Sequence, residues 1–257
     1  MSRLQKVFQQ QQHPILNIYC TAGFPQQNDT LTIMQALQES GVDIIELGMP
    51  YSDPLADGPV IQQSSNIAIQ NGMTLALLFK QLATMRLTIH VPVILMGYAN
   101  PVMQFGFEQF CAQAKAVGID GLIIPDIPMY EFETTYKAIV EKYELDFIFL
   151  VTPETSEARV RQIDGVSSGF IYAVSSSSVT GSTQDTSGVT TYLQRLQSYQ
   201  LKNPILVGFG ISDSTSFKRV SQYTQGGIIG TAFIKALLQQ PTDVALTTKN
   251  FVHSILS

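Results

Sequence analysis

Short apolar runs alternate with amphipathic stretches along the whole chain. Aliphatic and β-branched residues cluster at Ile15–Thr21, Val42–Leu47, Val91–Met96, Ile119–Ile124, Leu145–Val151, Gly169–Val174, Pro204–Phe209 and Gly227–Ile229. Each run is short for a helix and too continuously apolar for a strand with one wet face. The pattern therefore predicts strands covered on both sides. Between them, apolar spacings of three and four predict helices over Thr30–Glu39, Leu75–Leu87, Phe107–Val117, Tyr130–Lys142, Ser156–Ile163, Val189–Tyr199, Thr215–Tyr223 and Ala232–Leu238. A helix-like Arg3–Phe8 opens the chain and Thr242–Leu256 closes it. Eight strand–helix units with no linker-like break predict an α/β fold, a single-domain (β/α)8 barrel over residues 1–257 with extra helical segments at both ends. The serine-rich Ser175–Ser187 falls between the sixth strand and its helix, where a barrel places an active-site loop, and reads as a lid.

Composition narrows the range of partners. The 257 residues are 45% hydrophobic and carry a net charge of −5, with only 15 Lys and Arg. No basic stripe of the kind nucleic acid or an anionic membrane selects is present in that pattern. No apolar run approaches the ~18 residues of a membrane span, so a cytoplasmic protein is expected. Cys20 and Cys111 offer neither a disulfide framework nor a zinc spacing and read as small buried hydrophobes. His13, His90 and His253 are far apart in sequence, which argues against a histidine metal site or a Ser-His-Asp triad.

The chemistry concentrates around the second strand. Glu46 lies among Val42, Ile44, Ile45 and Leu47, and a carboxylate is seldom buried without a partner or a task. The first 79 residues hold only Arg3 and Lys6 as cations, so nothing nearby in sequence neutralises it. Eleven residues on, Asp57 sits in a loop stiffened by Pro50, Pro54 and Pro59. In a barrel both carboxylates fall at the carboxyl-terminal mouth, the ordinary place for chemistry. Tyr98, Asn100, Asp126 and Tyr172 follow or end neighbouring strands and converge on the same face.

A second feature is a pair of glycine-rich turns on consecutive strands, Val207-Gly-Phe-Gly-Ile-Ser212 and Gly226-Gly-Ile-Ile-Gly-Thr231. Barrels hold phosphate on these loops, with backbone N–H groups and a helix N-terminus as donors. Ser212 and Thr231 can cap a helix or donate directly. An acid/base pair with a phosphate cradle predicts proton-transfer or carbon–carbon chemistry on a phosphorylated substrate. Isomerase, aldolase and lyase remain open at this point.

The run Glu46-Leu-Gly-Met-Pro-Tyr-Ser-Asp-Pro-Leu-Ala-Asp57-Gly-Pro59 resembles the signature of the tryptophan synthase α chain. The likeness spans nearly the whole chain, through Thr21-Ala-Gly-Phe-Pro25, Leu95-Met-Gly-Tyr-Ala-Asn-Pro101, Asp120-Gly-Leu-Ile-Ile-Pro-Asp-Ile-Pro128, Gly169-Phe-Ile-Tyr-Ala-Val-Ser175 and Val179-Thr-Gly181. It implies retro-aldol cleavage of indole-3-glycerol phosphate to indole and glyceraldehyde 3-phosphate. On this resemblance Glu46 is the general acid/base and Asp57 the carboxylate that stabilises charge on the indole nitrogen. Tyr172 positions Glu46, Thr180 and Gly181 belong to the lid, and Tyr19 and Met96 wall the indole pocket. Gly210, Gly230 and Thr231 correspond to phosphate ligands. The resemblance implies no cofactor in this chain, pyridoxal phosphate only in a partner β chain, indole passing between the two, and an αββα assembly. The chain departs from the family at Ser178, before Val-Thr-Gly, at Tyr19 where Phe is common, and at Thr231 where Ser is usual.

Overall fold

The computed structural model describes residues 1–174, 186–208 and 210–257. Its strands are β1 (Ile15–Thr21), β2 (Ile44–Gly48), β3 (Val93–Met96), β4 (Gly121–Ile123), β5 (Asp146–Phe147), β6 (Leu150–Val151), β7 (Ile171–Val174), β8 (Ile205–Gly208) and β9 (Gly226–Ile229). All pairings are parallel, in the order β5-β4-β3-β2-β1-β9-β8-β7-β6. β5 and β6 are two pieces of one segment: the first pairs with β4, the second with β7. The sheet thereby closes on itself as the (β/α)8 barrel. The continuous run read at Leu145–Val151 is thus a strand broken at Ile148 and Phe149, which lets it lean from one neighbour to the other.

Helices cover the outside. They are α1 (Arg3–Gln10), α2 (Thr30–Glu39), α3 (Pro59–Gln70), α4 (Leu75–Leu82), α5 (Ala99–Phe105), α6 (Phe107–Ala116), α7 (Met129–Glu131), α8 (Lys137–Lys142), α9 (Glu157–Val166), α10 (Thr186–Ser198), α11 (Ser214–Val220), α12 (Thr231–Gln239) and α13 (Val244–Leu256). A π-helical Phe132–Tyr136 joins α7 to α8. The hydrophobic pattern did not announce α3 or α5. In α3, Gln62, Gln63 and Asn66 interrupt the apolar stripe, and proline at its first position starts the helix instead.

Strand alternation divides the core in two. Ile15, Ile44, Ile94, Ile123, Ile148, Tyr172, Leu206 and Ile228 point inward and fill the barrel. The alternate residues, among them Leu16, Ile18, Ile45, Leu47, Val93, Leu95 and Val207, pack outward against the helices. Because both faces are buried, the strands read as near-continuous apolar runs.

The amino-terminal end of the barrel is sealed by α1. Leu4 joins the interior cluster, and the Phe8 and Phe170 rings lie 6.0 Å apart. Buried aspartates hold this end together. Asp43 accepts from Leu16 N and Gln11 Nε2, each at 2.8 Å. Asp120 accepts from Val93 N at 2.8 Å and pairs with Arg3 and Arg86 at 2.9 and 2.5 Å. Asp43 also meets His13 Nε2 at 3.8 Å. Cys20 and Cys111 are buried and unpaired. No described helix is long and apolar enough to cross a membrane.

Candidate active site

The polar groups expected at the mouth do meet there. On β2, the residues Ile44, Glu46 and Gly48 face inward, and the register sets Glu46 beside Tyr19 of β1. Glu46 is fully buried at 0% exposure. Its Oε1 accepts a hydrogen bond from Asn17 Nδ2 at 2.6 Å, while Oε2 has no partner among the described residues. No salt bridge to Glu46 occurs among the described residues. Burial pushes its carboxyl up to about 8, with the Asn17 bond opposing.

Asp57 stands on the loop between β2 and α3. That loop is braced: Gln62 Nε2 donates to the Asp57 carbonyl at 2.8 Å, and Ala56 N donates to Tyr98 Oη at 3.2 Å. The Tyr98 hydroxyl in turn bonds the Asp57 carboxylate. Tyr51 and Tyr98 have ring centroids 5.3 Å apart, Asn100 Nδ2 donates to Tyr51 Oη at 3.1 Å, and Asp126 accepts from Ala99 N at 2.9 Å. Tyr98, Asn100 and Asp126 thus serve to hold the Asp57 loop. Half-burial pushes the Asp57 carboxyl up to about 6, with the Tyr98 bond opposing. Asp57 is thus held below Glu46, about 6 against about 8.

Two adjoining cavities share Tyr19, Asp57 and Met96, and the fully buried Glu46 lies behind their walls rather than lining either. One is walled by Tyr19, Met49, Tyr51, Met96, Tyr98, Pro125 and Leu150, an aromatic and sulfur-lined slot. The other is bounded by Tyr172, Gly210, Ile211, Ile228, Gly230 and Thr231. Gly210 has φ +74°, a conformation that favours glycine. Gly230 is the N-cap of α12 and Thr231 its first residue, with no side-chain cap. The N–H groups at this end are thus open to an anion, and the α12 dipole favours one. Ser212, expected as a cap or donor, instead gives its hydroxyl to Asp213, and Asp213 caps α11.

Close packing explains two glycines. A Cβ at Gly48 would overlap the Tyr19 ring and hydroxyl, and one at Gly208 would overlap Tyr172. The Tyr19 hydroxyl accepts from Thr21 Oγ1 at 3.4 Å. Thr21 is also 2.7 Å from Ser64 Oγ on α3. Burial pushes the Tyr19 and Tyr172 hydroxyls above their ordinary range, and the two carboxylates add to this. Thr180, Gly181 and Ser178 lie outside the described residues, as does most of the expected lid. Asn17 is the residue that sequence reasoning passed over. Its signal was a lone amide at an inward position of β1, between Ile15 and Tyr19.

A concavity of about 900 Å³ opens at the amino-terminal end around Ser2, Arg3, Asp120 and Asp146. Its carboxylates are already bonded: Asp120 to Arg3 and Arg86, and Asp146 to the Ser2 hydroxyl. Among the buried carboxylates of the described residues, the oxygen left without a partner lies at the other end, on Glu46. Among the described residues no group of three His, Cys, Asp or Glu could hold a metal ion.

Fold and site together define a (β/α)8 barrel with a carboxylate pair and a glycine-lined anion cradle at its carboxyl-terminal mouth. A family model described as tryptophan synthase alpha chain matches residues 5–254. The tryptophan synthase alpha chain of Flavobacterium psychrophilum is 51% identical over 240 residues, covering 93% of this chain and 94% of that one. That of Flavobacterium johnsoniae is 52% identical over 238 residues, covering 92% and 94%. Among solved structures, the alpha subunit from Legionella pneumophila superposes with a TM-score of 0.91 at 30% identity, covering 99% of this chain and 97% of that one. The chain belongs to the tryptophan synthase alpha chain family.

Proposed function

We propose that this protein cleaves indole-3-glycerol phosphate to indole and D-glyceraldehyde 3-phosphate. The observation that carries the reading is Glu46: wholly buried, facing no cation among the described residues, and keeping one oxygen unbonded. A structural ion-pair member would show a partner; a group that must give and take a proton near neutral pH is built this way.

In this reading Glu46 begins as the carboxylic acid and Asp57 as the carboxylate. Glu46 gives its proton to indole C3, and Asp57 stabilises the positive charge that spreads to the ring nitrogen. The Glu46 carboxylate then takes the proton of the hydroxyl on the adjoining side-chain carbon. The bond from that carbon to C3 breaks, its electron pair returns to the ring, and an aldehyde remains. Glu46 ends protonated, as it began. The indole occupies the slot between Tyr19 and Met96, the phosphate the cradle of Gly210, Gly230 and Thr231, and Tyr172 lies against Glu46. Thr180 and Gly181 belong to the lid that keeps water from the reactive tautomer. No cofactor enters these steps.

The two carboxyls define a pH window. Asp57 must be ionised, which requires a pH above about 6, and Glu46 must be protonated, which requires a pH below about 8. A bell-shaped kcat/KM between those values is expected.

The partner is a tryptophan synthase β chain in an αββα complex of the cytoplasm, with indole passing between subunits. Leu55, 91% exposed on the Asp57 loop, favours a partner over a stand-alone lyase, since it leaves a large apolar side chain in water two residues from Asp57. Indole release is measured for wild type and Glu46→Gln, each with and without a β chain. Release that the β chain boosts and Glu46→Gln abolishes supports the whole reading. Fast release with no partner supports the stand-alone enzyme, and no release under any condition refutes the lyase.

A further inference from the structure

Asn17 and Glu46 are a polar pair sealed inside the barrel, both at 0% exposure. They sit on neighbouring parallel strands in a diagonal relation, because the register sets Asn17 beside Ile44 and Tyr19 beside Glu46. Asn17 Nδ2 donates to Glu46 Oε1 at 2.6 Å. The remaining acceptors, Asn17 Oδ1 and Glu46 Oε2, have no partner among the described residues. A buried amide with one half bonded and the other idle costs stability, so packing alone does not account for asparagine here. Leucine would fill similar space without an orphaned carbonyl.

We propose that Asn17 is a positioning residue for Glu46, an amide that holds this carboxyl in one orientation through both of its proton states. The proposal rests on the acid/base role given to Glu46 above. Toward the carboxylate, Asn17 donates through Nδ2, as seen. Toward the carboxylic acid, a half-turn about χ2 presents Oδ1 as the acceptor of the acid proton. An amide has a donor and an acceptor of similar shape, so one side chain serves both states in one volume. Other residue types do not. Arg or Lys would pair with the carboxylate and trap it ionised, His would bring its own titration, and Ser or Thr would fall short across this diagonal. The idle Oδ1 and Oε2 then have a reason to remain unbonded to the rest of the protein.

Among the described residues, the other titratable groups around Glu46 are Tyr19 and Cys20 on β1, Tyr172 on β7 and Asp57 on the loop after β2. Burial pushes both tyrosines and Cys20 well upward, so near neutral pH only Asp57 titrates beside Glu46. Asp57 sets the acid limb, which leaves the alkaline limb to Glu46 and its amide.

The test uses the full chain and the variant Asn17→Leu, with two readouts. The first is the pH profile of indole release from indole-3-glycerol phosphate. The second, independent of turnover, is the titration of the Glu46 carboxyl by carbon-13 NMR of glutamate-labelled protein, assigned by the signal missing in Glu46→Gln. Loss of a charge-assisted donor moves the alkaline limb and the carboxyl titration upward together, by about one to two pH units. The kcat falls about ten- to a hundredfold as the carboxyl loses its orientation, with KM nearly unchanged, because Asn17 touches no substrate. A limb and a titration that stay where they are in wild type overturn the proposal, whatever becomes of kcat. If the leucine variant does not fold, Asn17→Ser, a shorter donor, is measured in its place with the same two criteria. Should wild type release no indole at any pH, the lyase reading has failed. The NMR titration then still decides whether Asn17 governs Glu46.

Discussion

Replacing Glu46 by glutamine is expected to abolish indole release and, at alkaline pH, to make the protein more stable. The Glu46 carboxyl is raised from the ordinary 4.5 to about 8 by burial. Below pH 4.5 the folded and unfolded chains both hold the proton, and burial of a neutral acid costs little. Between pH 4.5 and 8 the unfolded chain gives the proton up while the folded chain keeps it. Stability therefore falls with rising pH by about 1.4 kcal/mol per pH unit. Above pH 8 the folded carboxyl ionises too and the loss levels off near 5 kcal/mol, to order of magnitude. Glutamine has no charge to bury at any pH and still accepts the Asn17 bond. Urea unfolding of wild type and Glu46→Gln at pH 5, 7 and 9 reads this directly, because every other titrating group is common to both chains. The advantage of Glu46→Gln should grow by about 4 kcal/mol from pH 5 to pH 9. A difference constant within about 1 kcal/mol would refute the claim that burial sets the proton affinity of this carboxyl. It would also remove the argument for its acid/base role.

Three further outcomes follow from other parts of the structure. Tyr98→Phe removes the hydroxyl that stabilises ionised Asp57, so the acid limb of the activity profile should move upward from about 6 with the alkaline limb unchanged. Gly208→Ala sets a Cβ into the space of the Tyr172 hydroxyl and should lower kcat more than tenfold for about 1–3 kcal/mol of stability, read by steady-state kinetics and urea unfolding. Asp120→Ala leaves the half-buried Arg86 without its carboxylate and should cost about 3 kcal/mol in unfolding free energy. Turnover per folded molecule should stay near wild type, since this residue lies at the sealed end of the barrel.

The exposed face of the Asp57 loop lies next to the brace that holds Asp57. Leu55 points into solvent while Asp57 and Ala56 on the same short segment are tied to Tyr98. A partner that covers Leu55 would therefore press on the brace that positions Asp57, which gives the proposed β chain a short physical route to the site.

Periodicity by itself determined the architecture. Continuous apolar runs at regular intervals require strands buried on both faces, and only a closed or doubly covered parallel sheet provides that. The run from Glu46 to Pro59 directed attention to the proposed site, because a lone carboxylate in an apolar strand is informative without any neighbour in view. Helix α3 escaped, since polar residues interrupt its apolar stripe and its start depends on Gly58 and Pro59.

Tertiary structure alone decided the rest. The break between β5 and β6 follows from barrel closure, which the residues of Leu145–Val151 do not encode. The upward displacement of Asp57 depends on half-burial beneath a tyrosine brace built from a different loop. Asn17 became visible only through the register of β1 against β2, which carries a side chain 29 positions away in sequence to within 2.6 Å of Glu46. Proton affinity and orientation are set by what surrounds a group in space. A one-dimensional pattern states which face a residue takes, and folding decides what it meets there.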